Sequence, residues 1–233
     1  MTPVRIIKGL ARRLSGSSVR FQPLPIRTAR EVFPQAAHPV GFIGRFMRRV
    51  EHVTATFAQG SLPPARDERL RKRYRPRVLR LLFIGESRPA GGTFFYAADS
   101  NLFFHTQSAF GGAYGDRLPQ GVQFLDFFKS AGCYLEDLCL EPVNRLPPTP
   151  RRVAHHAATG PLAERIGSRR PGTIVVVGLG RSLRSCIGKA LKLANLEDVP
   201  RFELPFPAMS HQPRYLSELS ALIEELRAKG ILP

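Results

Sequence analysis

The chain has 233 residues, 43% of them hydrophobic, and 35 lysines and arginines against 18 aspartates and glutamates give a net charge of +17. This composition excludes intrinsic disorder for most of the chain, because long apolar runs can bury a core. No run reaches the ~18 consecutive apolar residues of a transmembrane helix. Residues 1–22 lack the apolar centre of a secretory signal, and an organelle transit peptide is the alternative.

The positive charge is concentrated in the first third of the chain. Residues 1–80 carry 18 basic and 4 acidic side chains, whereas residues 81–233 carry 17 and 14. Eight of the basic residues lie between positions 66 and 80. Such a run attracts polyanions, so we predict a nucleic-acid partner. An anionic membrane surface and a merely solubilising arm are the alternatives.

The elements in chain order predict two regions. Residues 1–75 form a basic N-terminal extension, in which residues 40–57 have the pattern of an amphipathic helix. Residues 76–233 alternate strand and helix. Apolar, β-prone runs predict strands at 78–84, 133–140, 173–177 and 201–204. Helical spacing predicts helices at 121–131, 161–167, 182–194 and 215–228. The alternation indicates a three-layer α/β/α domain with a small, mostly parallel four-stranded sheet.

Ligands of such sheets bind beyond the carboxyl ends of the strands, so the residues that follow each strand are the candidate site. Glu86 comes directly after a buried strand and is a candidate acid or base. Phe94 and Phe95 in the same loop offer a stacking surface for a base, with core packing as the alternative. Asp137 and Asn144 follow the second strand.

The later strand-end loops contain candidates for binding phosphate. Gly180, Arg181 and Ser182 open a helix, where free N–H groups and the helix dipole favour an anion. Ser182 as a simple helix cap is the alternative. His211 can donate a hydrogen bond to an anion, and Arg214 lies close by in the sequence.

Three cysteines, Cys133, Cys139 and Cys186, form no C-x-x-C pair. A sparse, odd number is typical of a reducing compartment, so we expect a cytoplasmic protein. The count excludes a four-cysteine zinc or iron–sulfur site, and we expect no metal and no cofactor.

Over about residues 78–230 the sequence resembles the uracil-DNA glycosylase superfamily. The run Gly85–Pro89 (GESRP) is similar to the first motif of that family, and Tyr134–Asp137 is similar to its strand that ends in a base-reading asparagine. Phe206–Ala208 takes the place of a His-Pro-Ser loop. The helix opening Gly-Arg-Ser after the strand TIVVV also looks like the family.

The resemblance implies roles for these residues. Glu86 would position or activate the attacking water, Phe94 or Phe95 would stack on a flipped base, and Asp137 or Asn144 would read its edge. His211 would replace the missing family histidine and stabilise the leaving base. An ionised Asp137 offers only acceptors and would repel uracil O4, so it would suit another base edge or act only when protonated.

We therefore predict a DNA-binding protein of the uracil-DNA glycosylase-like fold. It would recognise or excise a damaged or deaminated base by hydrolysing the N-glycosidic bond, as in DNA repair. Two alternatives stay open: a non-catalytic nucleic-acid-binding member of the same fold, and an unrelated small α/β hydrolase that uses Glu86 and His211. A monomer associated with the nucleoid is expected.

Overall fold

The computed structural model describes residues 65–233, so the predicted helix at residues 40–57 lies outside the described range. The strands of that range are β1 Leu81–Gly85, β2 Cys133–Asp137, β3 Thr173–Val177 and β4 Arg201–Leu204. The helices are α1 Ala65–Arg73, α2 Asn101–Tyr114, α3 Val122–Ser130, α4 Pro148–Gly167, α5 Arg181–Leu193 and α6 Gln212–Ala228. None of these helices combines the length and apolar character that crossing a bilayer requires.

The four strands form one sheet in the order β2–β1–β3–β4, and every pair is parallel. Strands β1, β2 and β3 are buried along their whole length, as expected for a parallel sheet covered by helices. Helix α2 packs against α6, and α4 packs against α5. This confirms the predicted α/β class with a parallel four-stranded sheet, in an arrangement compatible with three α/β/α layers.

Several helices differ from the sequence prediction: α1 was not predicted as a helix, α6 begins three residues earlier than predicted, and the largest differences are in α4 and α2. Helix α4 begins at Pro148 instead of residue 161, and Pro161 lies inside it. Proline is disfavoured in a helix interior, which is why the prediction started there. Helix α2 was not predicted at all, although Ser100 caps it by accepting a hydrogen bond from the Phe103 N–H. Strands β3 and β4 have the predicted bounds.

A cluster of phenylalanine rings fills the space between β1 and the helices that follow it. Phe83 on β1 and Phe128 on α3 lie 5.6 Å apart between ring centroids. Phe95 packs against Phe103 at 5.7 Å and against Phe128 at 5.4 Å. Tilted and edge-to-face contacts of this kind are the preferred geometry of aromatic pairs. The cluster fixes the loop after β1 at the carboxyl edge of the sheet.

Helix α1 carries part of the basic run into the domain. Arg71 is only 2% exposed, whereas the other seven basic residues between positions 66 and 80 are exposed. Tyr74, just after α1, stacks on Tyr96 with the centroids 5.8 Å apart. The packed domain therefore includes residues that precede position 76, where the sequence analysis placed its start.

Candidate functional site

All four strands end at the same edge of the sheet, because they are parallel and in register. Gly85 of β1 lies opposite Asp137 of β2, and Val177 of β3 lies opposite Leu204 of β4. The loops that follow these residues therefore converge there. We call this the carboxyl edge, and it is where ligands bind in open α/β sheets.

A small cavity opens at the carboxyl edge beside β1 and β2. Its volume is about 30 Å³, and its lining includes Arg88, Phe94, Phe95, Asp137 and Phe206. We call it the strand-end cleft. Ligand pockets usually measure about 300 Å³ or more, so the cleft as it stands admits water and must widen to admit a base. Phe206 is 41% exposed, so its ring is only partly packed against the rest of the lining.

The predicted stacking rings differ in how much of their surface is free. Phe95 is held in the core by its ring contacts. Phe94 is also buried, and the guanidinium of Arg71 lies 5.0 Å from its centroid. Phe206 at the mouth has the most exposed face of the three. The sequence pattern indicated Phe206 only as a replacement for a histidine and gave no sign that its ring is exposed beside the cleft.

Three buried charged residues and the partly buried Arg165 form a group beneath the cleft. Arg71 donates to Asp137 Oδ2 at 2.8 Å and to Glu136 Oε1 at 3.3 Å, and Arg165 Nε lies 3.4 Å from the same Glu136 oxygen. We call these four residues the Arg71 cluster. Burial holds the pKa of Asp137 above its ordinary value, although the charge and hydrogen bond of Arg71 oppose this rise. The Arg71 guanidinium can only donate, so Asp137 Oδ2 accepts from it.

Glu86 does not border the cleft but lies in a second polar group beside it. Arg151 donates to both carboxylate oxygens of Glu86, and His155 Nε2 lies 2.7 Å from Glu86 Oε1. His155 Nδ1 lies 3.1 Å from the Ser182 hydroxyl. We call these four residues the Glu86 cluster. Arg151 and His155 are four residues apart on α4 and so share one face of it.

The protons of the Glu86 cluster can be assigned from its hydrogen bonds. Burial alone would raise the pKa of Glu86, but hydrogen bonds from His155 and Arg151 lower it below its ordinary 4.5. An ionised carboxylate only accepts, so His155 Nε2 carries a proton. In the neutral imidazole Nδ1 then accepts from Ser182. The pairing stabilises the fold above pH 4.5, and this stabilisation is lost as the pH falls through the lowered pKa.

The remaining candidates lie apart from these two groups. His211 is exposed in the short 3₁₀ turn Met209–His211, and its ring bonds to no residue between 65 and 233. Asn144 is exposed and accepts a hydrogen bond from the Ala90 N–H at 3.0 Å, which holds the loop after β1. Arg214 is exposed and pairs with Glu218 at 2.8 Å. Neither Asn144 nor His211 is therefore among the residues that line the strand-end cleft with Asp137.

Helix N-termini give the carboxyl edge its charge. Helices α4, α5 and α6 each follow a strand and begin at this edge, and none has an acidic residue in its first turn. Gly180 is the N-cap of α5, and Arg181 and Arg184 lie in its first turn. Acidic side chains are usually favoured at helix N-termini, so arginines there add to the positive end of the dipole. The edge is therefore suited to an anionic partner.

Comparison with known proteins assigns no family to the chain. No protein-family model matches it, and no curated protein is significantly similar to it. The relationship to uracil-DNA glycosylases stays a prediction from the sequence.

Proposed function

We propose that the protein binds nucleic acid, preferentially DNA, along the carboxyl edge and takes one base into the strand-end cleft for hydrolysis of its N-glycosidic bond. The observation that carries the proposal is the combination of arginine-bearing helix N-termini with an aromatic cleft that has a carboxylate at its floor. Phosphate contacts position a nucleic acid, and groups in a pocket read the base.

Exposed arginines at the carboxyl edge support binding to phosphates. Arg145, Arg152 and Arg181 are exposed, and no acidic residue between 65 and 233 forms an ion pair with them. Helix α1 adds further exposed basic residues beside the cleft, because Arg71 ties this helix to Asp137. Each phosphate neutralised by such a residue releases counterions and strengthens binding at low salt.

The cleft supports recognition of a base that has left the stack. A flipped base is commonly held between aromatic side chains and read by hydrogen bonds to its edge. Phe206 and Phe94 supply rings on the lining, and Asp137 supplies an acceptor. Unstacking costs a few kcal/mol, which the new stacking contacts at about 1–3 kcal/mol each offset in part.

Glu86 is the residue best suited to the hydrolytic step. Arg151 and His155 fix its carboxylate and keep it ionised, so it can orient a water and stabilise positive charge on the sugar. The water oxygen would attack C1′ while the bond from C1′ to the base nitrogen breaks. The base leaves with the electron pair, and the water gives up its proton through Glu86.

Replacing Arg152 and Arg181 together with glutamine is expected to weaken DNA binding and to reduce the steepness of the negative slope of log K against log salt by about 2. Fluorescence anisotropy at several salt concentrations measures both quantities. The matched control is Arg170→Gln with Lys192→Gln, which removes the same charge from exposed residues at the opposite edge. Equal weakening by both double variants, or no binding of DNA or RNA by the wild type, would contradict the proposal.

The Glu86 cluster also favours a second candidate function, a small serine hydrolase. The hydrogen bonds from Ser182 to His155 to Glu86 join a nucleophile, a base and an orienting carboxylate. Ser182 Oγ would attack an ester carbonyl, and its proton would pass through His155 to the leaving alcohol. Water would then release the acyl group. This differs from the sequence prediction of a hydrolase, which relied on His211.

Covalent labelling separates the two functions. If the protein is a serine hydrolase, a fluorophosphonate probe should label the wild type. Ser182→Ala should abolish labelling and ester turnover, whereas Ser217→Ala, a control at an exposed residue, should leave both unchanged. The base-recognition proposal predicts no labelling and no ester turnover. Mass spectrometry of the treated protein identifies the labelled residue.

A further inference from the structure

Asp137 lies in the lining of the strand-end cleft, and one of its carboxylate oxygens has no donor from the rest of the described chain. Its Oδ2 is held by Arg71, and no residue between 65 and 233 donates to Oδ1. A Cβ at Gly85 would lie 2.7 Å from this Oδ1, so only glycine leaves room for the carboxylate at the end of β1. The strand pairing and this close approach fix where the acceptor lies.

Arg88 supplies a donor in the same lining. Its Nε is buried without a hydrogen-bond acceptor, although Asp67 Oδ2 lies 3.2 Å away as an ion partner. The other polar side chains of the lining are already bonded to the backbone, namely Ser87, Ser100 and Asn101. The cleft therefore offers an acceptor from Asp137 and a donor from Arg88 between apolar rings.

We infer that the cleft selects a base with an exocyclic amino group and disfavours bases that carry a carbonyl in its place. This inference rests on the proposed function and names its substrate class. The amino group would donate to Asp137 Oδ1, and a neighbouring ring nitrogen or carbonyl would accept from Arg88. Adenine, cytosine and guanine present this pair of groups. Uracil, thymine and hypoxanthine would place an oxygen against the carboxylate, and in an apolar cleft that repulsion is strong.

The inference is tested with single-stranded oligonucleotides that carry one base among abasic residues. Adenine carries an amino group at C6 where hypoxanthine carries a carbonyl, and cytosine against uracil forms a second pair. We expect the amino-bearing member of each pair to bind about tenfold more tightly at fixed salt. Asp137→Asn should remove or reverse the preference, because an amide can donate to a carbonyl. Asp126→Asn, an exposed carboxylate on α3, is the control and should keep it.

The possible results separate the inference from the function on which it rests. If the wild type binds no oligonucleotide, the proposed function is wrong and the inference falls with it. If oligonucleotides bind equally well, or the carbonyl-bearing base binds more tightly, only the inference is overturned. A preference that Asp137→Asn leaves unchanged overturns the role of Asp137. If circular dichroism shows that Asp137→Asn does not fold, the binding of the wild type to the two members of each pair tests the inference by itself.

Discussion

Replacing Arg71 with methionine is expected to lower the free energy of unfolding by about 3–5 kcal/mol. The change leaves the carboxylates of Glu136 and Asp137, which are 2% and 5% exposed, without their main cation. Removing one partner of a buried ion pair is costly because the other charge stays desolvated. Urea denaturation of the full chain, followed by circular dichroism, measures the loss.

Lys72→Met is the matched control for this prediction. Lys72 is the next residue on α1, and its side chain is 66% exposed in a surface pair with Glu68. Exposed pairs of this kind contribute at most about 1 kcal/mol, so the control should stay close to the wild type. A loss below about 1 kcal/mol in Arg71→Met would show that the two carboxylates do not depend on Arg71.

Glu86→Gln is expected to lower the rate of base release by about 10²–10⁴-fold while DNA binding changes little. Glutamine keeps the size of the side chain but removes the negative charge that orients water and stabilises the sugar. The assay uses duplex and single-stranded DNA that carries uracil, hypoxanthine, an alkylated base or a normal amino-bearing base. Strand cleavage at the resulting abasic site reports release.

Glu164→Gln is the control, because Glu164 is exposed on α4 and has no ion pair within residues 65–233. Denaturation curves of both variants show whether a lost rate reflects lost folding. If the wild type releases no base from any substrate, the catalytic part of the proposal is wrong. Salt-sensitive binding without release would then favour the non-catalytic alternative.

The sheet was predictable because its signals are local. Strand β3 is an unbroken β-branched run, TIVVV, which is typical of a strand buried on both faces. Helix α2 was missed because its aromatic and glycine-containing sequence, NLFFHTQSAFGGAY, has no clear polar face. The start of α4 was missed because three prolines near its N-terminus suggest a loop, although proline is well tolerated in a first turn.

The candidate site was predictable only in part, because its decisive contacts are distant in the sequence. The rule that strand ends build the site placed Asp137 and the loop after Glu86 at one edge. The partner of Asp137 is Arg71, 66 residues away, and the partner of Glu86 is His155, 69 residues away. No spacing pattern signals such pairs. Arg71 was interpreted as one more cation of a basic run, and His155 lies in the first part of α4, which had not been predicted as helix.

The Arg71 cluster also limits how this sequence can diverge over evolutionary time. Two guanidinium groups face two carboxylates in this cluster. A homologue that loses Arg71 leaves these carboxylates short of one cation, so a second substitution that neutralises position 136 or 137 would be favoured by selection. Positions 71 and 137 should therefore co-vary among homologues, although one lies in a basic segment and the other at the floor of a cleft. If Asp137 selects the base as proposed, a homologue with an apolar residue at position 71 and a neutral one at position 137 should prefer a different ligand.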